Sequence, residues 1–163
     1  MIIYGMGEKP VIELCQRLDK NIPIYNITDI PQTVYLAPEA DINGYISSND
    51  IILHSHEECL KDKKAQASNF RHIEEESNKM HAQRLLQKVG NEYVVVNPPY
   101  PPMTTEEIDA TFDLPYTRLP HPKYKNKRIP AYEMIKHSVN IHRGCFGGCA
   151  FCTISAHQGK FIS

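Results

Sequence analysis

MIIYGMGEKPVIELCQRL, residues 1–18, reads as one folding unit: a short buried strand over residues 2–4, a glycine turn, then a helix. Pro10 suits the first turn of a helix, where a backbone donor is not needed. Val11, Leu14, Cys15 and Leu18 follow at helical spacing and predict about three turns. A strand feeding directly into a helix is the building block of mixed α/β folds, and that is the expected class. GMGEKP contains GxG but not the GxGxxG of a dinucleotide site, so its glycines are assigned to turn geometry. With its first strand at residue 2, the unit also reads as though earlier units precede it.

Further along, 33–38 (TVYLAP) and 51–54 (IILH) are strand candidates. Residues 56–79 are polar and free of Gly and Pro, with a thin apolar stripe of Leu60, Ala65, Phe70 and Ile73. They predict one long, partly exposed helix. In RLLQKVGNEYVVVN (84–97) two apolar runs flank Gly90-Asn91, which predicts a hairpin; a helix ending at Gly90 is the competing reading. PPYPP (98–102) is a stiff, extended connection. Thr104 and Glu107 form a capping-box pattern that opens a short helix, EEIDATFDL. A proline-spaced arm follows, and SVNIHRG (138–144) is expected to be a strand running into a cysteine loop. The expected division is an α/β region at 1–97, a proline-rich arm at 98–137 and a third region at 138–163.

With 163 residues, 41% apolar and 23% charged, the chain falls in the soluble globular range. A net charge of -1 predicts no general attraction to nucleic acid or an anionic membrane. Between 118 and 143 seven Lys or Arg stand against one acid, Glu133. The ordinary reading is a solvated face, although such a run also suits an anionic partner. No apolar run is long enough to span a bilayer, and no signal peptide opens the chain, so a cytoplasmic location is expected. In that compartment thiols stay reduced, and clustered cysteines read as ligands or catalysts.

Cys145, Cys149 and Cys152 are such a cluster, spaced Cys-x3-Cys-x2-Cys in CFGGCAFC. Gly144, Gly147 and Gly148 allow the backbone to curl three thiolates toward one point. Thiolates are soft donors that select zinc or iron–sulfur clusters. A closed zinc site needs a fourth ligand, for which His142 and His157 are available. A four-cysteine cluster would have to recruit Cys15 or Cys59 from far away. Otherwise Cys15, in the apolar VIELCQRL, reads as a buried small hydrophobe, and Cys59 as incidental. The third option leaves one iron open to a small molecule.

That third option carries a resemblance. CFGGCAFC is similar to the CxxxCxΦC signature of the radical SAM superfamily, with Phe151 in the aromatic position. IIYGMGEKPVIEL, YVVVNPP, LPYTRLPHPKY, IPAYEMIKHSVNIHRGCFGGCAFC and ISAHQGKFIS closely resemble the YgiQ family within it. The resemblance implies a [4Fe-4S] cluster held by Cys145, Cys149 and Cys152, with S-adenosylmethionine on the open iron and Phe151 near its adenine. It further implies a cellular one-electron donor and a 5'-deoxyadenosyl radical that takes hydrogen from a substrate it does not identify. It also places a cobalamin-binding-like α/β segment before IIYGMGEKP and a barrel after the cysteine loop. Only eleven residues follow Cys152, and the later glycine-rich stretch that holds the methionyl amine is absent. The chain is therefore expected to be the middle region of a longer enzyme plus its first barrel strand, catalytically inert alone. The alternatives are a non-enzymatic zinc module, and a binding-only scaffold of the cobalamin type. The latter would lack the Asp-x-His-x-x-Gly pattern that ligates cobalt.

Other polar residues have ordinary readings. His54, His56, Glu57 and Glu58 resemble an exposed helix start more than a metal site, and His72 and His81 are expected to face water. His121 is oriented by flanking prolines. His142 and Arg143 are placed either to donate to cluster sulfurs or to a carboxylate or, equally, to reach solvent at an ordinary strand end. His157 and Gln158 follow the motif closely enough to line a cofactor site, where Lys160 could offer charge.

Overall fold

The computed structural model describes residues 1–149, 151–155 and 159–162. Its centre is a five-stranded sheet in the order β1 (Ile2–Ile3), β2 (Thr33–Pro38), β5 (Glu92–Val96), β4 (Leu85–Val89), β3 (Ile51–Leu53). Only the β3–β4 pair is parallel; the other three neighbours are antiparallel. Helices α1 (Glu8–Asp19), α2 (Glu39–Ile42), α3 (His56–Lys61), α4 (Lys63–Ser77), α5 (Thr105–Phe112) and α6 (Pro130–Ile135) complete the mixed α/β fold. No helix among the described residues is long and apolar enough to cross a membrane.

The hairpin forms as expected. β4 and β5 pair from Val89↔Glu92 to Leu85↔Val96. Gly90 has φ +59 at the first central position of the two-residue loop, which a II′ turn reserves for glycine. Leu86, Val95 and Tyr93 of this hairpin pack with Ala37 and Ile42 as the main apolar cluster.

Three expectations are corrected. The helix expected over 56–79 is two helices, broken at Asp62, whose φ −125 and ψ 111 are extended. Its carboxylate accepts from Lys64 N–H at 2.8 Å; an aspartate bonds the backbone better as a cap than within a helix. Residues 138–144 form no strand. Val139 and Ile141 are 82% and 87% exposed, and no described strand lies beside them to complete a ladder. Cys15 is exposed rather than buried, because of α1 only Pro10 is buried. The arm contains a short helix, α6, opened by Pro130 at its first turn.

Candidate cofactor site

β5 ends at Val96, and Asn97 carries the chain off the sheet into the proline segment. Asn97 is 5% exposed. Its amide donates to Thr28 O at 2.8 Å, Ile30 O at 3.0 Å and Thr33 Oγ1 at 3.0 Å, and Tyr4 O–H donates to Asn97 O at 2.5 Å. Burial pushes the Tyr4 phenol well above its ordinary value, so it stays a donor.

Gln32 joins three segments around the same point. It takes φ +64, unusual for a side chain with a Cβ. Its amide donates to Tyr4 O at 2.6 Å and to Met6 O, and its Oε1 accepts from Tyr100 N–H at 3.3 Å. Its backbone N–H donates to Pro98 O at 2.8 Å. Gly5, at φ +67, lets the GMGE turn pass close by: a Cβ there would stand 3.2 Å from Gln32 Nε2. Tyr100 O–H donates to Glu13, and burial together with that carboxylate pushes the phenol up to about 12.

These segments form one wall of a cavity of about 620 Å³. α4 and residues 79–83 form a second wall, and Cys149, Cys152 and residues 159–161 close it. The cysteine loop is fastened on both sides. On one side Arg143 donates to Glu8, at the start of α1, and lies 5.5 Å from the Phe112 ring centroid. On the other, Lys160 Nζ donates to Glu74 Oε2 and Ser77 Oγ of α4, each at 2.8 Å. Between them Cys145 N–H donates to Gly159 O at 3.1 Å and Cys152 N–H to Cys149 O at 3.0 Å. Gly144, at φ +84, runs so close to Phe161 that a Cβ would fall 1.9 Å from its carbonyl oxygen.

The thiols themselves stand as follows. The sulfurs of Cys145 and Cys149 lie 3.3 and 3.7 Å from the point a Cβ on Gly147 would take, so both face one gap that glycine leaves open. Cys149 and Cys152 face the cavity. Among the described residues no group of three or more His, Cys, Asp or Glu converges closely enough to hold a metal ion. Phe151 is 91% exposed and His142 is exposed. Arg143 has its carboxylate, Glu8. Lys160 lines the cavity while paired to α4. His157 and Gln158 lie outside the described residues.

The remaining candidates take their ordinary roles. His54 and His56 lead into α3, where Ser55 and Glu58 form a capping box. His81 is exposed and His72 half-buried; His121 Nδ1 accepts from Lys123 N–H at 3.2 Å. Cys59 Sγ accepts from the buried Asn69 amide at 3.1 Å. Three residues important to this geometry carry no signal in the sequence. Gln32 and Glu74 sit far from the cysteines in the chain, and Glu8 reads simply as an acid in a helix first turn.

The family model described as radical SAM N-terminal matches residues 1–138. A UPF0313 protein of Bacteroides thetaiotaomicron is 62% identical over 99% of this chain and 28% of its own length. One from Porphyromonas gingivalis is 61% identical over 100% of this chain and 26% of its own. The UPF0313 protein YgiQ of Escherichia coli K12 is 36% identical over 99% and 29%. The chain thus spans under a third of the curated relatives it matches. No solved structure matches it. With its N-terminal 138 residues covered by that family's model, and whole-chain likeness to UPF0313 proteins, the chain belongs to the radical SAM N-terminal family.

Proposed function

We propose that this chain is part of a longer radical SAM enzyme, in which Cys145, Cys149 and Cys152 ligate three irons of a [4Fe-4S] cluster. S-adenosylmethionine would bind at that cluster with Phe151 near its adenine, and residues 1–97, 98–137 and 138–163 would serve as scaffold, arm and cluster-bearing start of the catalytic domain. The reaction runs in the cytoplasm with a cellular one-electron donor. One observation carries the reading: two of the three sulfurs flank the gap above Gly147, and thiolates are the donors such a cluster takes. When bound, the cluster supplies the electron that cleaves the sulfonium bond and yields a 5'-deoxyadenosyl radical.

The chain's own residues do the positioning. Arg143 and Lys160 tie the loop to α1 and α4, so Cys149 and Cys152 are held against a preformed cavity. The exposed Phe151 ring is free to stack on a flat partner. Because residue 147 has no side chain, nothing stands between the Cys145 and Cys149 donors on that side of the loop.

The test is elemental analysis of the full-length protein prepared without air. Iron and sulfide in equal amounts, lost in the Cys145→Ala, Cys149→Ala and Cys152→Ala variants, are expected. S-adenosylmethionine should then perturb the reduced cluster's electron paramagnetic resonance spectrum. Stoichiometric zinc without iron would reject the enzyme assignment in favour of a zinc module.

A further inference from the structure

The cavity facing Cys149 and Cys152 has a chemical character of its own. Its apolar wall includes Phe70, Ile73, Met80, Met103, Pro99 and Pro101. Its volume, about 620 Å³, is that of an ordinary small-molecule site.

The charged side chains of the lining are each paired within the fold. Lys9 pairs with Glu107 at 2.9 Å, Lys79 with Glu76 at 2.5 Å and Lys160 with Glu74 at 2.8 Å. The second oxygen of Glu76 accepts from Gln83 N–H at 2.7 Å, and the Gln83 amide donates to Asn49 O at 2.7 Å. The Gln32, Asn97 and Tyr4 donors point to backbone and side-chain oxygens nearby. A ligand rich in hydrogen-bonding groups competes with these internal partners, at about 1–3 kcal/mol for each group left unpaired. An apolar ligand meets neither cost and displaces water from hydrocarbon.

We infer that this cavity binds an uncharged, predominantly hydrocarbon small molecule and holds it against the Cys149–Cys152 side of the loop. That the molecule is the substrate, offering a C–H bond to the radical, rests on the function proposed above; the binding itself does not.

The probe is N-phenyl-1-naphthylamine, an uncharged aromatic amine that brightens in apolar surroundings. The 163-residue chain, reduced and free of metal, is titrated with it. Saturable one-to-one binding is expected. Met80→Glu and Ile73→Glu should each weaken it at least tenfold with an unchanged circular dichroism spectrum; both side chains are partly exposed, so neither substitution opens the core. Bound probe should also slow alkylation of Cys149 and Cys152 by iodoacetamide while leaving the exposed Cys15 unaffected, a readout that needs no variant.

Non-saturable uptake, binding indifferent to both glutamates, or equal protection of Cys15 would overturn the inference. So would binding by this chain that vanishes in the full-length protein, because another segment of polypeptide would then fill the space. Metal analysis of the full-length protein keeps the two claims apart: zinc there with probe binding intact removes the radical chemistry and leaves the apolar site.

Discussion

Gly144 is held by two independent constraints. Its φ of +84 costs a residue with a Cβ about 1–2 kcal/mol, and the same Cβ would stand 1.9 Å from Phe161 O. Gly90 carries only the first, since a Cβ there meets nothing within 4 Å. Gly144→Ala should therefore lower stability clearly more than Gly90→Ala in thermal unfolding, and should speed alkylation of Cys145 by displacing residues 159–162. Equal losses would show that the close approach is not maintained in solution. Gln32 poses the opposite case, a strained backbone kept because its side chain is fully used. Gln32→Leu keeps the bulk and the strain but strips the amide, and should cost about 2–3 kcal/mol by denaturant unfolding. A glutamine at positive φ leaves no mark on the sequence, which is why the residue that ties together three segments is invisible there.

Among the elements, β3 is held to the sheet by a short parallel pairing and by a fork from Arg84. Its Nε donates to Asp50 Oδ1 at 3.0 Å and a terminal nitrogen to Oδ2 at 2.6 Å. Burial alone would raise the Asp50 carboxyl, but the Arg84 bonds and the Ser47 N–H outweigh it and hold it below its ordinary 3.8. A carboxyl lowered by folding stabilises the protein above its unfolded value, and that contribution disappears as pH falls through the lower folded one. Asp50→Asn should flatten the acid limb of the stability profile below about pH 4, and an unchanged limb would remove the pair from the account. Thr104→Ala should cost about 1 kcal/mol through loss of the α5 cap, read in the same unfolding experiment. The elements legible in the sequence were those decided locally: the β4–β5 hairpin by its glycine turn, α5 by its capping box, β2 by an apolar run. Those decided elsewhere were not. Residues 138–144 have strand-like composition, but ladder formation depends on a neighbour that composition does not reveal. The break at Asp62 was a matter of one carboxylate preferring an end to a middle.

Across the whole molecule, the cysteines were legible because their spacing is local, whereas their fastening was not. Glu8 and Arg143 lie 135 residues apart, and Lys160 and Glu74 lie 86 apart. Arg143→Ala should raise alkylation rates at Cys145 and Cys149 several-fold and lower the unfolding midpoint, because Glu8, whose Oε2 is buried, loses its cation. The charge-reversed pair Glu8→Arg with Arg143→Glu should restore slow alkylation if attraction, not bulk, fastens the loop. No restoration would assign the role to packing on Phe112. The sequence separation of the Glu8–Arg143 contact has a temporal consequence. Closing a loop this long carries an entropic cost that nearby pairings do not, so the thiols are expected to reach their final spacing after the sheet is assembled. Any chemistry that needs the three thiols at their folded spacing therefore waits on an already folded polypeptide.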